Sequence, residues 1–468
     1  MKSRRNVLCI GLALVLAHAS AALAQDRAGF TLIKIADVQT AIPGTQPVRR
    51  LHPSEVYPPP VVSANGTIAF WCGVREDAIK DINSSNPYTD VGSGIFLANS
   101  ARPDTVAPVA LHGAPAAGGG NFDILFAPFL AAKKDGGGFL CFFGSVSTPS
   151  SETPASPPGS EPHLFAYDLA TQQLRRAITS SLRRVPPRGF DLDGTGAVNS
   201  SGRVCFGTFN EKRAQGGYYT FPVTGSERDA TALTPGAPDD ASALFRRLTR
   251  PQISDAGEVT WSAVIENAKR GVNYGLYWAD KTGQFAPVFE QGDPAPNGRM
   301  FTVLRSKSAA INSASALIVF AAETDGSQGA FAYNTRTKRM DLVATQGGTA
   351  PDDVGTYTQI IGDVGVNGGG DVAFVATLLP LEPDPFANGR DEFQALFTQN
   401  ARGVTRLVAR RGDTFDGSVL TGFRTEARCI DDSGGIAFRY NLEDGRIGIA
   451  YARPRGARTP RAQQMRQR

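Results

Sequence analysis

Side chains that commonly carry catalysis are sparse in this chain of 468 residues. Beyond residue 24 there are three histidines, His52, His112 and His163, each in a stretch rich in Pro or Gly that reads as a solvated loop. No HExxH pair, GxSxG elbow or GxxxxGK[ST] loop occurs, so metallopeptidase, serine-hydrolase and nucleotide-phosphate chemistry lack their motifs. Carboxylates remain. The stretch "DLDGTGAVNSSG" imitates the start of a calcium loop, with Asp191, Asp193 and Thr195 as alternating oxygen ligands and Gly196 at the turn. Its twelfth position is Gly202, where such a loop needs a bidentate Glu. Neither a metal nor a cofactor is therefore expected. Cys72, Cys141, Cys205 and Cys429 form no CxxC pair, and read as small buried apolar side chains with disulfides as the alternative.

Charged groups also concentrate in long insertions: Arg75, Asp77 and Asp81 in one, Arg390 and Asp391 in another, with a Ser- and Pro-rich run at 145–162 between them. Asp293 and Asp413 stand in shorter linking phrases, "EQGDPAP" and "RRGDTF". Loops held by a rigid scaffold are where ligands bind, so these seven residues are the expected ligand contacts, provided that the scaffold turns them to one face.

That scaffold is legible as a repeat. Seven phrases recur: "VSANGTIAF", "KDGGGFLCF", "VNSSGRVCF", "ISDAGEVTW", "INSASALIVF", "VNGGGDVAF" and "IDDSGGIAF". Their aromatic residues, Phe70, Phe142, Phe206, Trp261, Phe320, Phe374 and Phe438, are 72, 64, 55, 59, 54 and 64 residues apart. In each, Ser, Asn or Asp starts a tight turn and Gly takes the positive φ that closes a hairpin. The fifth phrase has Ser315 and Ala316 in place of the glycine, which predicts an irregular turn. Alternating apolar residues follow, and a second hairpin succeeds most copies, as in "GLYWADK" then "APVFEQGD". Each unit thus reads as four antiparallel strands.

Radial repetition of such sheets is the β-propeller solution to sheet edges. The expectation is an all-β, seven-bladed propeller over residues 25–452. Its last blade lacks a strand, which "TLIKIADVQTAIPG" (Thr31 to Gly44) supplies from the other end of the chain, setting residues near 35 beside those near 449. An open solenoid or two packed β domains are the alternatives; an open array should carry distinct capping repeats. If the phrase turns share one face, the connections between second and third strands and between blades share the other.

The first 24 residues read as a signal peptide, with Lys2, Arg4 and Arg5 before an apolar run and Ala22-Leu23-Ala24 before the cut. "SRRNVL" also resembles a twin-arginine export signal. Export to the periplasm or beyond follows. No later segment offers 18 uncharged apolar residues, so no membrane span is expected. Residues 25–452 carry 39 basic and 44 acidic side chains, which gives no electrostatic case for nucleic acid. The remaining 453–468 hold six arginines and no acid, a composition that predicts a disordered basic tail.

"VNGGGDVAF" fits in full, and "IDDSGGIAF" and "VSANGTIAF" in part, the tandem NxxGxxAF repeat of secreted bacterial proteins with various surface anchors (choice-of-anchor type), which this chain resembles from about Thr31 to Arg453. "EQGDPAPNG" is similar to that family's inter-repeat link. The resemblance implies an exported repeat protein and carries no established activity. The leading expectation is a monomeric binding module for an envelope or extracellular protein or glycan, held on the long-loop face. A carbohydrate lyase or hydrolase using carboxylates near the central channel, and a structural envelope or matrix component, are the alternatives, since propellers host all three.

Overall fold

Seven antiparallel sheets, one per phrase, make up a seven-bladed β-propeller. The computed structural model describes residues 25–456, apart from 28, 46–47, 55–56, 78–87, 148–162, 179–190, 211–214, 226–230, 233–243, 247–249, 268–270, 307, 313 and 382–391. In most blades the innermost strand is broken into two short pieces that both pair with the second strand, as Arg49–His52 and Val61–Val62 do with Thr67–Asp77 in blade 1. A strand that lines a narrow bore has to bend, and a bulge or break does this locally.

The phrase aromatics explain why the blades stack. Each points into a dry interior and meets the residue opposite it on the third strand. Phe70 lies over Phe96, Phe142 over Phe165, Phe320 over Phe331 and Phe374 over Phe397, with ring centroids 5.4 to 5.7 Å apart and near-parallel planes. Trp261 and Tyr277 repeat the pair at 6.2 Å. Such cross-strand pairs are the unit of sheet stabilisation. Blade 7 has Ala450 opposite Phe438, and Phe423 from the innermost strand packs edge-on against the ring instead, at 5.8 Å.

The phrase turns do more than reverse the chain. Asn199 and Asn367 each accept, through Oδ1, the N–H four residues ahead at 2.8 Å, closing a five-residue loop. Their Nδ2 groups donate to the carbonyls of Ser254 (3.2 Å) and Asp431 (2.9 Å), the same position in the next blade. The N–H of Gly368 adds a bond to Asp432 Oδ1 at 2.9 Å. Asn367→Ala is expected to cost about 2–3 kcal/mol, because it leaves buried acceptors and donors on two blades without partners; an unchanged urea midpoint would show that the lock contributes nothing.

Two turns differ from the repeat. In blade 5 the turn is irregular, as expected: Asn312 pairs with Leu317, one residue further on than in the other turns, its Oδ1 accepts the N–H groups of Ala314 and Ser315, and Ala316 takes the left-handed backbone at φ 53° while its carbonyl accepts Thr335 N–H. In blade 2 the hairpin runs two residue pairs further, to Gly138 opposite Ala132, and the turn is Lys133–Gly137 with Gly136 at positive φ, displaced from the expected Asp135 to Gly138. Three consecutive glycines let it slide; at Gly138, a Cβ would stand 2.3 Å from the Ala131 carbonyl oxygen.

The ring closes as expected. Phe30–Asp37 is the fourth strand of blade 7 and pairs antiparallel with Ile447–Pro454, setting Ala36 opposite Ile449. Phe30 and Leu32 join a core that includes Val375 and Leu396 of blade 6, while Ile33 and Ile35 join one with Phe70 and Phe96 of blade 1. A single strand thus zips the last blade and glues both neighbours. Among the described residues no helix is long and apolar enough to cross a membrane.

Candidate functional site

The bore of the propeller is lined by innermost strands, each with one edge lacking a neighbouring strand, so its backbone carbonyls need partners. One side chain supplies several. Arg428, from blade 7, reaches across the bore: Nη1 donates to the carbonyls of Leu130 (2.9 Å, blade 2) and Val198 (2.8 Å, blade 3), Nη2 to that of Ile253 in blade 4, and Nε to Gln252 Oε1 (3.2 Å). Its own carbonyl accepts the N–H of Val62 in blade 1 at 2.7 Å. Burial lowers the proton affinity of the guanidinium, and the Asp255 charge opposes this. In strand register the equivalents of Arg428, two residues before the one paired like Ile430 with the second strand, are Pro60, Pro128, Gly196, Pro251, Ala309 and Val364. Six small or apolar residues leave room at the axis for one long side chain.

Arg428 divides the bore. On the side of the phrase turns lies a recess of about 140 Å³. On the other side a chamber of about 680 Å³ opens, walled by Arg250, Arg305, Arg424, Arg439, Asp363 and Glu426 among others. Thr377 and Gln394, opposite each other on the second and third strands of blade 6, line it too, so it opens on the face of the strand-two-to-three connections. Glu426 pairs with Arg250 at 3.2 Å, and Arg305 with Glu323 at 2.9 Å. Asp363 accepts from Ser308 Oγ at 3.1 Å. Arg439 Nη1 donates to the Tyr57 carbonyl at 2.7 Å and stands directly opposite Arg424 across the strand pair. Arg424 is exposed and makes no hydrogen bond or ion pair with a described residue.

Of the residues expected from sequence, those described stand as follows. Arg75 is in the strand Thr67–Asp77, opposite Arg50 and Asp90. Asp77 ends that strand, with its side chain outside the described residues, and Asp81, Arg390 and Asp391 lie outside them altogether. Asp293 and Asp413 occupy equivalent inter-blade turns, where each carboxylate accepts the N–H three residues earlier, at 2.7 and 2.9 Å. Arg75, Asp293 and Asp413 do not line the chamber. Asp191, Asp193 and Thr195 are part of a strand, Asp191–Val198, and their side chains are likewise outside the described residues. No cluster of three or more metal-ligating side chains is present among the described residues. His52 and His163 sit in strands rather than loops. Cys72, Cys141, Cys205 and Cys429 are buried and form no disulfide, and burial pushes the thiols of Cys72, Cys141 and Cys429 well above their ordinary range.

Residues 166–453 match the profile of a family described as a family of unknown function (DUF7453). No curated protein matches the chain. Among solved structures, an oligogalacturonate lyase in complex with manganese is 12% identical, with a TM-score of 0.45 over 92% of this chain and 98% of that one. An oligogalacturonate lyase from Vibrio parahaemolyticus is 11% identical, with a TM-score of 0.47 over 92% and 99%. The β-propeller domain of the Trilobed protease from Pyrococcus furiosus is 10% identical, with a TM-score of 0.44 over 87% and 98%. At such distances no activity is carried across.

Proposed function

The chain belongs to this family of unknown function, DUF7453, and we propose that it is an exported propeller of the tandem NxxGxxAF kind that binds a glycan or protein ligand in the chamber on its long-connection face. The leader sequence and the repeat phrases support export and family type. The chamber carries the binding reading: about 680 Å³ falls within the range of ligand pockets. Binding is favoured over catalysis because both chamber carboxylates are engaged, Glu426 by Arg250 and Asp363 by Ser308.

Gln359 lines the chamber and is half-buried, so Gln359→Trp fills the space without breaking a described contact. On an array of bacterial glycans and envelope proteins, this variant is expected to lose at least tenfold in affinity for whatever the wild-type protein retains, with its thermal midpoint unchanged. Equal retention would remove the chamber from consideration.

A further inference from the structure

We propose that the recess on the phrase-turn side, apart from the chamber, is a second site, and that it takes a small zwitterion of the α-amino acid class. The first observation is charge. Arg428 lines the recess as a cation without a contacting carboxylate: four of its five N–H groups meet Gln252 and three carbonyls, one on Nη2 meets no described acceptor, and Asp255 acts on it only through space. Carbonyls solvate such a charge and leave it unneutralised. One residue beyond the start of their turns, Asp255 and Asp432 bring carboxylates to the turn end of the same recess. Each spends Oδ1 on the neighbouring blade, at the N–H groups of Ser200 (2.8 Å) and Gly368 (2.9 Å), and Oδ2 of Asp432 is held by the exposed ammonium of Lys134 at 3.2 Å. The recess therefore has a positive base and a negative rim.

Hydrogen-bonding sense supplies the second observation. Val366 and Ile430 precede turn residues whose own N–H groups bond across the hairpin, to Asp371 and Gly435, so the N–H and C=O of Val366 and Ile430 face the bore, where no described backbone group meets them. In blades 3 and 6 the turn asparagine donates Nδ2 to the next blade. Blade 5 differs: the Asn367 carbonyl accepts from Ser315 Oγ at 3.4 Å, and Asn312, on the recess wall, gives Nδ2 to no described acceptor. Donors and acceptors thus both stand open. A carboxylate suits Arg428 and the Asn312 amide, and an ammonium suits the bore carbonyls and the two aspartates. An anion alone would face the rim carboxylates and a cation alone would face Arg428, so a ligand that carries both charges is the one that fits. In other proteins a cavity of about 150 Å³ holds one benzene, and the recess, at about 140 Å³, sets its ligand near that size.

Ligand-observed NMR titration of the full mature protein with alanine, acetate and methylammonium tests this. Expected is binding of alanine at least tenfold tighter than of either single ion. Asp255→Asn keeps an oxygen for the Ser200 N–H and removes the charge, so it should weaken alanine at least threefold and strengthen acetate. Ala64→Trp, from a half-buried position on the recess wall, should cost alanine at least tenfold with the thermal midpoint unchanged, whereas Gln359→Trp in the chamber should change its affinity less than twofold. If Ala64→Trp lowers the midpoint, Ala314→Trp, at an exposed position of the same wall, takes its place. Absence of alanine binding, or acetate or methylammonium bound as tightly as alanine, overturns the zwitterion inference. Alanine binding that is indifferent to the recess-filling variants, or lost in Gln359→Trp, overturns its placing in the recess. None of these outcomes bears on whether the chamber holds a larger ligand.

Discussion

A chain lacking residues 25–37 is expected not to reach the closed ring. The strand Phe30–Asp37 buries Phe30, Leu32, Ile33 and Ile35 almost completely, and at about 1.5–3 kcal/mol for each large apolar side chain their loss removes roughly 6–12 kcal/mol. A domain's whole stability is about 5–15 kcal/mol. The deletion would also bare the edge of Ile447–Pro454, a template for pairing with other chains. The bridges of Lys34 to Asp416 (3.0 Å) and Asp37 (3.3 Å) contribute little beside this, being partly solvated. Aggregation, or loss of cooperative unfolding, is the expected outcome, relieved by a peptide spanning residues 25–42 added in trans. A truncated monomer that unfolds at the wild-type urea midpoint would refute the role given to the strand.

Replacing Arg428 with Met is expected to lower stability by about 3 kcal/mol or more, because the carbonyls of Leu130, Val198 and Ile253 lose their donor together and each unsatisfied acceptor costs about 1–3 kcal/mol. Water entering the bore holds the loss near the lower end. Arg428→Lys should lie between, since an ammonium keeps the charge but lacks the fork that serves three blades at once. Equal denaturant midpoints for all three proteins would mean that the contacts across the axis are idle.

The fold was legible because its determinants are local and recur. A turn residue, a glycine and an aromatic at fixed offsets specify each hairpin, and a strand surplus near Phe30 matched by a deficit after Ile447 specifies closure. Even the departures obey local rules: the glycine run at 136–138 displaces one turn, and Ala316 bears the strain of another. The site was not legible, since it arises from convergence. Arg250, Arg305, Arg424 and Arg439 belong to four different strands or linkers of three blades, at unrelated offsets from their phrases, and only ring closure brings them to one wall. Asp293 and Asp413 stand in linking turns whose backbone their carboxylates hold, each accepting the N–H three residues earlier. One signal was available: an arginine at 428, where six sister units have Pro, Gly, Ala or Val.

The guanidinium that bridges blades 2, 3 and 4 from blade 7 makes the central passage a blind well rather than a tunnel. A long polymer cannot be threaded through such a molecule or slide along it. Whatever enters the well must back out by the way it came.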